Sequence, residues 1–146
     1  MFITLETDYA VRIVSNLCKD GGRVEAKKLA ERSSVTLRFA LKILRNLVSA
    51  GIVKSFKGSK GGYMINLDPK DITLRMVVEA IEGTYCFSRC LAPDGECNRG
   101  AMGVCCYRKA FSDITETVRE KLDSYNFADL IKESECKDNE NEVVSQ

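Results

Sequence analysis

The sequence predicts a mainly α-helical fold with one small β-hairpin, on three observations. Apolar residues recur at helical spacing over most of the chain, in segments bounded by threonine and glycine. Two short extended runs, Ile52–Lys57 and Tyr63–Leu67, flank the turn Gly58-Ser59-Lys60-Gly61-Gly62. With 146 residues and 45% hydrophobic content, the chain can build one ordinary core plus an appended element.

Taken in order, a first helix capped by Thr7 runs to about Lys19, with the stripe Ala10, Ile13, Val14 and Leu17. Asp20-Gly21-Gly22 ends it, and a short helix follows at about Ala26–Arg32, with Ala26, Leu29 and Ala30 facing inward. Ser33-Ser34-Val35 turns the chain into a third helix, Thr36–Ala50, with Thr36 as N-cap and Gly51 at its C-terminal end. The hairpin comes next and Pro69 breaks the pattern. Thr73 then starts a helix bearing Leu74, Val77, Val78 and Ile81, closed by Gly83. A cysteine-rich loop covers about Thr84–Val104. Beyond it lie an amphipathic helix at Cys105–Tyr125, striped by Phe111, Ile114, Val118, Leu122 and Tyr125, and a short helix at Phe127–Lys132. The whole reads as a winged helix-turn-helix with a two-stranded β wing, a cysteine-rich loop and a long dimerisation helix. The segments are 1–68 (DNA-binding), 69–104 (linking helix and cysteine loop), 105–134 (dimerisation and closing helices) and 135–146 (a disordered acidic tail).

The net charge of +1 hides a division. Residues 1–66 hold 12 Lys+Arg against 5 Asp+Glu, a balance of +7, and the remainder carries −6. No acidic side chain occurs from Arg32 to Leu67. A basic half joined to an acidic half assigns only the first to a polyanion. In the third helix Leu37, Ala40, Leu41, Leu44, Leu47 and Val48 form the expected buried side, and Arg38, Lys42, Arg45 and Ser49 an opposite stripe. Such a helix suits the major groove of double-stranded DNA. Thr36, Arg38 and Lys42 lie nearest the base edges, and Arg45, Lys54, Lys57, Ser59 and Lys60 are placed for the backbone.

Five of the seven cysteines, Cys86, Cys90, Cys97, Cys105 and Cys106, fall within 21 residues, and the chain has no histidine. The N-terminus carries no secretory pattern and no run approaches the ~20 apolar residues of a membrane span, so the expected setting is soluble and cytoplasmic. Thiols there serve as metal ligands or redox sensors rather than structural disulfides. Soft thiolates suit an iron–sulfur cluster. Zinc is the competitor, although only Cys86 and Cys90 have paired zinc spacing. A thiol or disulfide switch is also open. Cys18, near the first helix's apolar face, reads as a small core residue, and Cys136 as a tail residue without a specific role.

These features together resemble the IscR/NsrR family (the Rrf family) of bacterial winged-helix regulators. The likeness is carried by Thr7-Asp8-Tyr9-Ala10-Val11-Arg12, the helix-turn-helix around Leu29–Leu47, Gly51-Ile52-Val53, Lys57-Gly58-Ser59-Lys60-Gly61-Gly62-Tyr63, and Arg89-Cys90-Leu91 with the spaced cysteines. The resemblance implies a homodimeric repressor-type regulator of promoter DNA whose loop cysteines, here Cys90, Cys97 and Cys105, ligate a 4Fe–4S or 2Fe–2S cluster. Cys105 keeps the family's distance to an aromatic residue, here Phe111, and Cys106 and Cys86 are its rivals. Where IscR-like members place a histidine ligand, this chain has Arg108; where NsrR-like members place an aspartate from the other subunit, it has Asp8. The match therefore favours 4Fe–4S with Asp8 as fourth ligand.

The switch this implies is one in which loss or modification of the cluster changes the angle between two recognition helices and so the affinity for DNA. A cluster-free member that senses through thiol oxidation or a partner protein is the alternative. A small iron–sulfur electron carrier is a weaker one, because it has no use for a basic helix and wing. No nucleophile–base pair or small-molecule substrate site is evident, so the chain is read as a non-enzyme.

Overall fold

A computed structural model describes residues 3–144. Among the described residues, six α-helices and one β-hairpin follow in the order α1 (Leu5–Asp20), α2 (Ala26–Ser33), α3 (Leu37–Ser49), β1 (Val53–Phe56), β2 (Gly62–Ile65), α4 (Leu74–Glu82), α5 (Cys106–Asp123) and α6 (Phe127–Val144). The architecture is that of a winged helix-turn-helix followed by a cysteine-rich loop and two long helices.

Helix α1 begins earlier than its sequence suggests. Thr4, not Thr7, is the N-cap, accepting the backbone N–H of Thr7 at 3.3 Å. Thr7 is fully buried, and its hydroxyl donates to Glu82 Oε1 at 2.5 Å. Ala10, Ile13, Val14 and Leu17 then face inward along one stripe, all at 0% exposure. Ser34 takes a left-handed conformation (φ 56°) that turns α2 into α3, and Thr36 caps α3 by accepting from the Phe39 N–H. Thr73 caps α4 in the same manner, and Gly83 ends it.

The hairpin pairs Val53 with Ile65, Lys54 with Met64, Ser55 with Tyr63 and Phe56 with Gly62, antiparallel. Near the turn, β2 is sewn to the segment before α2, because Val24 and Tyr63 exchange both backbone hydrogen bonds at 2.8 Å. Gly62 permits that approach. A Cβ there would lie 2.7 Å from the Val24 carbonyl oxygen, and its φ of +154° disfavours other residues.

The core is one apolar cluster running from α1, α2 and α3 through Ile52 and Val53 to Ile72, Val77 and Phe127. It is continuous across residues 68–69, where the DNA-binding segment was bounded. Phe127 seals its C-terminal side, and its N–H donates to the Ile72 carbonyl at 3.0 Å.

Two expectations are corrected here. In α3, Leu37 and Leu41 are 44% and 40% exposed, and the inward positions are Ala40, Ile43, Leu44 and Leu47. Eight of the thirteen α3 residues are apolar, more than one helix face can bury. The packing against α1 and α4 selects the arc centred on Ile43 and Leu47. The last helix does not stop at Lys132 before a disordered tail; it continues to Val144, while residues 145–146 lie outside the described residues. Asn126 starts it by accepting the Asp129 N–H at 2.9 Å, and no glycine or proline occurs after Gly103 to break it.

Glu82 ties the end of α4 to the start of α1, its Oε1 accepting from the Thr4 N–H (3.0 Å), the Thr4 hydroxyl (3.1 Å) and the Thr7 hydroxyl. Partial burial pushes its carboxyl pKa up, but the Thr7 and Thr4 hydrogen bonds outweigh that and hold it below the ordinary glutamate value of 4.5. A carboxyl with a depressed folded-state pKa contributes stability that is present above 4.5 and lost as pH falls through the folded value. Urea midpoints measured between about pH 6 and pH 3 should therefore fall more steeply for the native chain than for Glu82→Gln. Parallel curves would show that the tie carries no charge-dependent stability.

Candidate functional site

Two groups of residues stand out, a basic surface on α3 and the wing, and the cysteine loop. On α3, Arg38, Lys42 and Arg45 are exposed along one side, with Thr36 at the helix start. Lys42 Nζ lies 2.7 Å from Glu6 Oε2 on α1, so one of the predicted cations is already paired. No ion pair involves Arg38, Arg45, Lys54, Lys57 or Lys60 among the described residues. Lys57, Ser59 and Lys60 are exposed at the wing tip, whereas Lys54 on β1 is half-buried. The wing stands beside α3, with Leu41, Arg45 and Val48 facing Ser55 and Tyr63 across a shallow groove.

Two contributors were missed from sequence. Arg23 braces the wing, its guanidinium 3.7 Å from the Phe56 ring centroid and its NH1 donating to the Lys60 carbonyl at 2.8 Å. Spacing alone gives no sign of this, since Arg23 lies before α2. The second is the apolar part of the α3 surface, Leu37, Phe39 and Leu41, for which the excess of apolar residues in α3 was the available signal. Phe39 packs edge-on against Tyr9 of α1, with ring centroids 6.2 Å apart.

The first part of the cysteine loop is held against α5. Phe87 stacks on Phe111 of α5 at 5.9 Å, and its N–H donates to the Thr115 hydroxyl at 3.0 Å. Arg108 Nε donates to the Cys90 carbonyl at 3.4 Å. Cys90 itself sits in a 3₁₀ turn, Arg89–Leu91, with its sulfur 3.3 Å from Ser88 Oγ. Gly95 folds back over this turn so tightly that a Cβ would lie 2.4 Å from the Arg89 carbonyl oxygen. Cys97 Sγ faces the backbone N–H groups of Ala101, Arg99 and Gly100; the Ala101 and Arg99 hydrogen bonds, aided by the Arg99 charge, lower its pKa. Cys105 is the N-cap of α5 and accepts the Arg108 N–H at 3.5 Å. Cys86, Cys90, Cys97 and Cys105 are half-buried and Cys106 is exposed, all as free thiols. Burial pushes the Cys18 thiol up to about 11, which suits a core residue.

Among the described residues, no three cysteine, aspartate or glutamate side chains are gathered as one metal ion would require. Asp8, in the first turn of α1, pairs with Arg12 at 2.5 Å rather than with any loop cysteine of its own chain. The donor chemistry nevertheless fits an iron–sulfur group. Cys97 has its pKa lowered toward the thiolate, the form that ligates iron, and the Cys105 sulfur accepts one backbone N–H, from Arg108.

Helix α5 packs on α4, aided by Arg75, which bridges Glu79 at 3.3 Å and Asp123 at 2.8 Å. Its fully enclosed side chain is Thr115, while Phe111 and Ile114 on the helix and Tyr125 just beyond it are 38%, 42% and 40% exposed. No described helix is long and apolar enough to cross a membrane.

Residues 3–133 match the Rrf2 family, described as iron-dependent transcriptional regulators. The chain is 28% identical over 136 residues to protein rrf2 of Nitratidesulfovibrio vulgaris, spanning 92% of this chain and 89% of the relative. It is 28% identical over 138 residues to the HTH-type transcriptional regulator NsrR of Bacillus subtilis, spanning 92% and 93%. The fold is similar to that of CymR, the global cysteine regulator of B. subtilis, with a TM-score of 0.70 and 25% identity over 90% of this chain and 97% of CymR. The chain thus belongs to the Rrf2 family of winged-helix transcriptional regulators and is not an enzyme.

Proposed function

We propose that this regulator acts as a homodimer on promoter DNA and senses iron, redox state or nitric oxide through an iron–sulfur cluster held by Cys90, Cys97 and Cys105, with Asp8 of the partner subunit as fourth ligand. The observation that carries the reading is the placement of the loop thiols. Cys97 faces several backbone N–H groups and Cys105 accepts one, on a loop fastened to α5 by Phe87 and Arg108. When bound, the cluster supplies iron–thiolate bonds that respond to oxidation, nitric oxide and iron loss. Arg108 in place of a histidine, together with an available Asp8, favours the 4Fe–4S form over 2Fe–2S. Releasing Asp8 from Arg12 costs little, because an exposed ion pair contributes about 0–1 kcal/mol.

The chain's own residues provide the readout. Asp8 and Glu6 share the first turn of α1, and Glu6 holds Lys42 on α3. Thr4 and Thr7 of the same turn hold Glu82, which lies one residue before Gly83 and the cysteine loop. A pull on Asp8 is thereby passed to both the loop root and the DNA-reading helix. The exposed stripe of Phe111, Ile114 and Tyr125 supplies an apolar face for a second copy of α5. Arg38 is placed for base edges, and Arg45, Lys54, Lys57, Ser59 and Lys60 for phosphates.

A cluster-free regulator that senses by thiol oxidation is the second reading, favoured by the absence of a gathered ligand set among the described residues. The two separate on iron removal. Under the cluster reading, chelation of anaerobically prepared protein changes affinity for a selected duplex by about tenfold or more, consistent with a typical coupling of ~1–3 kcal/mol. Cys97→Ser should hold the protein at its chelated level. Equal affinity before and after chelation, with a response only to peroxide, would replace the cluster by thiol chemistry.

The DNA assignments make a further prediction. Arg38→Ala should relax discrimination between specific and random duplexes, whereas Lys60→Ala should weaken both alike and reduce the salt slope by about one. Competition anisotropy measures this, and equal losses on both duplexes for Arg38→Ala would remove Arg38 from base reading.

A further inference from the structure

We infer that Leu37 and Leu41 read the C5-methyl groups of thymine in the major groove, which makes the apolar edge of α3 a specificity-determining surface. The inference rests on the DNA-binding reading above and adds a class of base contact to it. Both side chains are large, apolar and more than one-third exposed, at 44% and 40%, on a helix whose other face is fully buried. They occupy the first and fifth positions of α3, so they lie on the same side one turn apart. At 1.5 Å rise per residue their separation is about 6 Å, close to two base-pair steps of ~3.4 Å.

The surroundings identify the occupant. Leu37 and Leu41 share one surface with Arg38, Lys42 and Arg45. Leu41 and Arg45 also line the groove toward the wing, and no acidic residue occurs from Arg32 to Leu67. A purely apolar protein partner seated here would cover Arg38 and Arg45 without pairing them, at the cost of desolvating two charges. The major groove meets both demands. Phosphates and guanine edges take the cations, and the thymine methyl is the one apolar group that a base edge presents there. Opposite a cytosine the same leucine would meet an amino donor that it cannot pair. Phe39 lines the same surface and is 45% exposed, but its ring is packed edge-on against Tyr9 of α1, which leaves Leu37 and Leu41 as the free aliphatic side chains.

Deoxyuridine separates the methyl contact from hydrogen bonding, since it pairs as thymine does but lacks the methyl. The full chain, prepared without oxygen, would first select duplexes from a random library. Each thymine of the selected site would then be replaced by deoxyuridine and affinities measured at fixed salt. Native protein should lose about fourfold at one or two positions, the worth of one buried methyl group. Leu37→Ala and Leu41→Ala should weaken binding to the thymine duplex, and each should abolish the penalty at one position. Both residues are exposed, and thermal melting followed by circular dichroism verifies that the variants fold. An unchanged native affinity at every replaced thymine, or variants that keep the full penalty, would overturn the inference. A native chain that selects no duplex and shows no salt-dependent binding would instead overturn the DNA-binding reading on which it stands.

Discussion

The enclosure of one stripe of α1, Ala10, Ile13, Val14 and Leu17, is the constraint on which the other elements depend. Through it α1 meets α2, α3, α4, α6 and β2, so this single helix sets where the reading helix, the wing and the loop-bearing helix stand. The three larger side chains contribute about 1.5–3 kcal/mol each on burial, a sum comparable with the 5–15 kcal/mol net stability of a typical domain. The polar first turn of α1 completes the arrangement. Thr4 and Thr7 hold Glu82, and Glu6 holds Lys42, so its buried side fixes the fold while its exposed start touches both functional regions.

That geometry bears on how the proposed signal at the cysteine loop can bias DNA binding at α3. The connection from the loop root to α3 runs through hydrogen bonds and an ion pair at the α1 N-terminus, interactions of modest strength that can rearrange without unfolding the core. The apolar stripe beneath them is fully buried and close-packed in the core. In the proposed dimer, Asp8 of the partner subunit joins this same turn to the opposite loop, which couples the two reading helices through their most adjustable contact.

Local chemistry explains what the sequence disclosed. Thr36, Thr73 and Gly83 announce helix ends because caps act within a few residues, and the wing glycines announce a hairpin for the same reason. The Thr4 cap was obscured by Thr7, which has the same side chain three residues later but is recruited by Glu82, 75 residues away in sequence. The inward face of α3 was ambiguous because eight apolar residues compete for one arc, and only tertiary packing ranks Ile43 above Leu41. The sequence ends helix α6 at Lys132 because residues 133–142 are mostly polar or charged, yet polarity does not break a helix that lacks glycine and proline. Cysteine spacing marked the loop thiols as candidate ligands. It carried no information on the nest of N–H groups at Cys97 or the cap at Cys105, which depend on backbone path rather than on residue type.

The most direct measurement is the visible absorption of the full chain purified without oxygen, with iron and acid-labile sulfide counted per subunit. A brown protein containing both elements, and losing them on replacement of Cys90, Cys97 or Cys105, is the predicted result. A colourless chain that remains free of iron after anaerobic reconstitution would contradict the cluster assignment. It would leave the loop thiols as sensors in their own right on an otherwise unchanged winged-helix regulator.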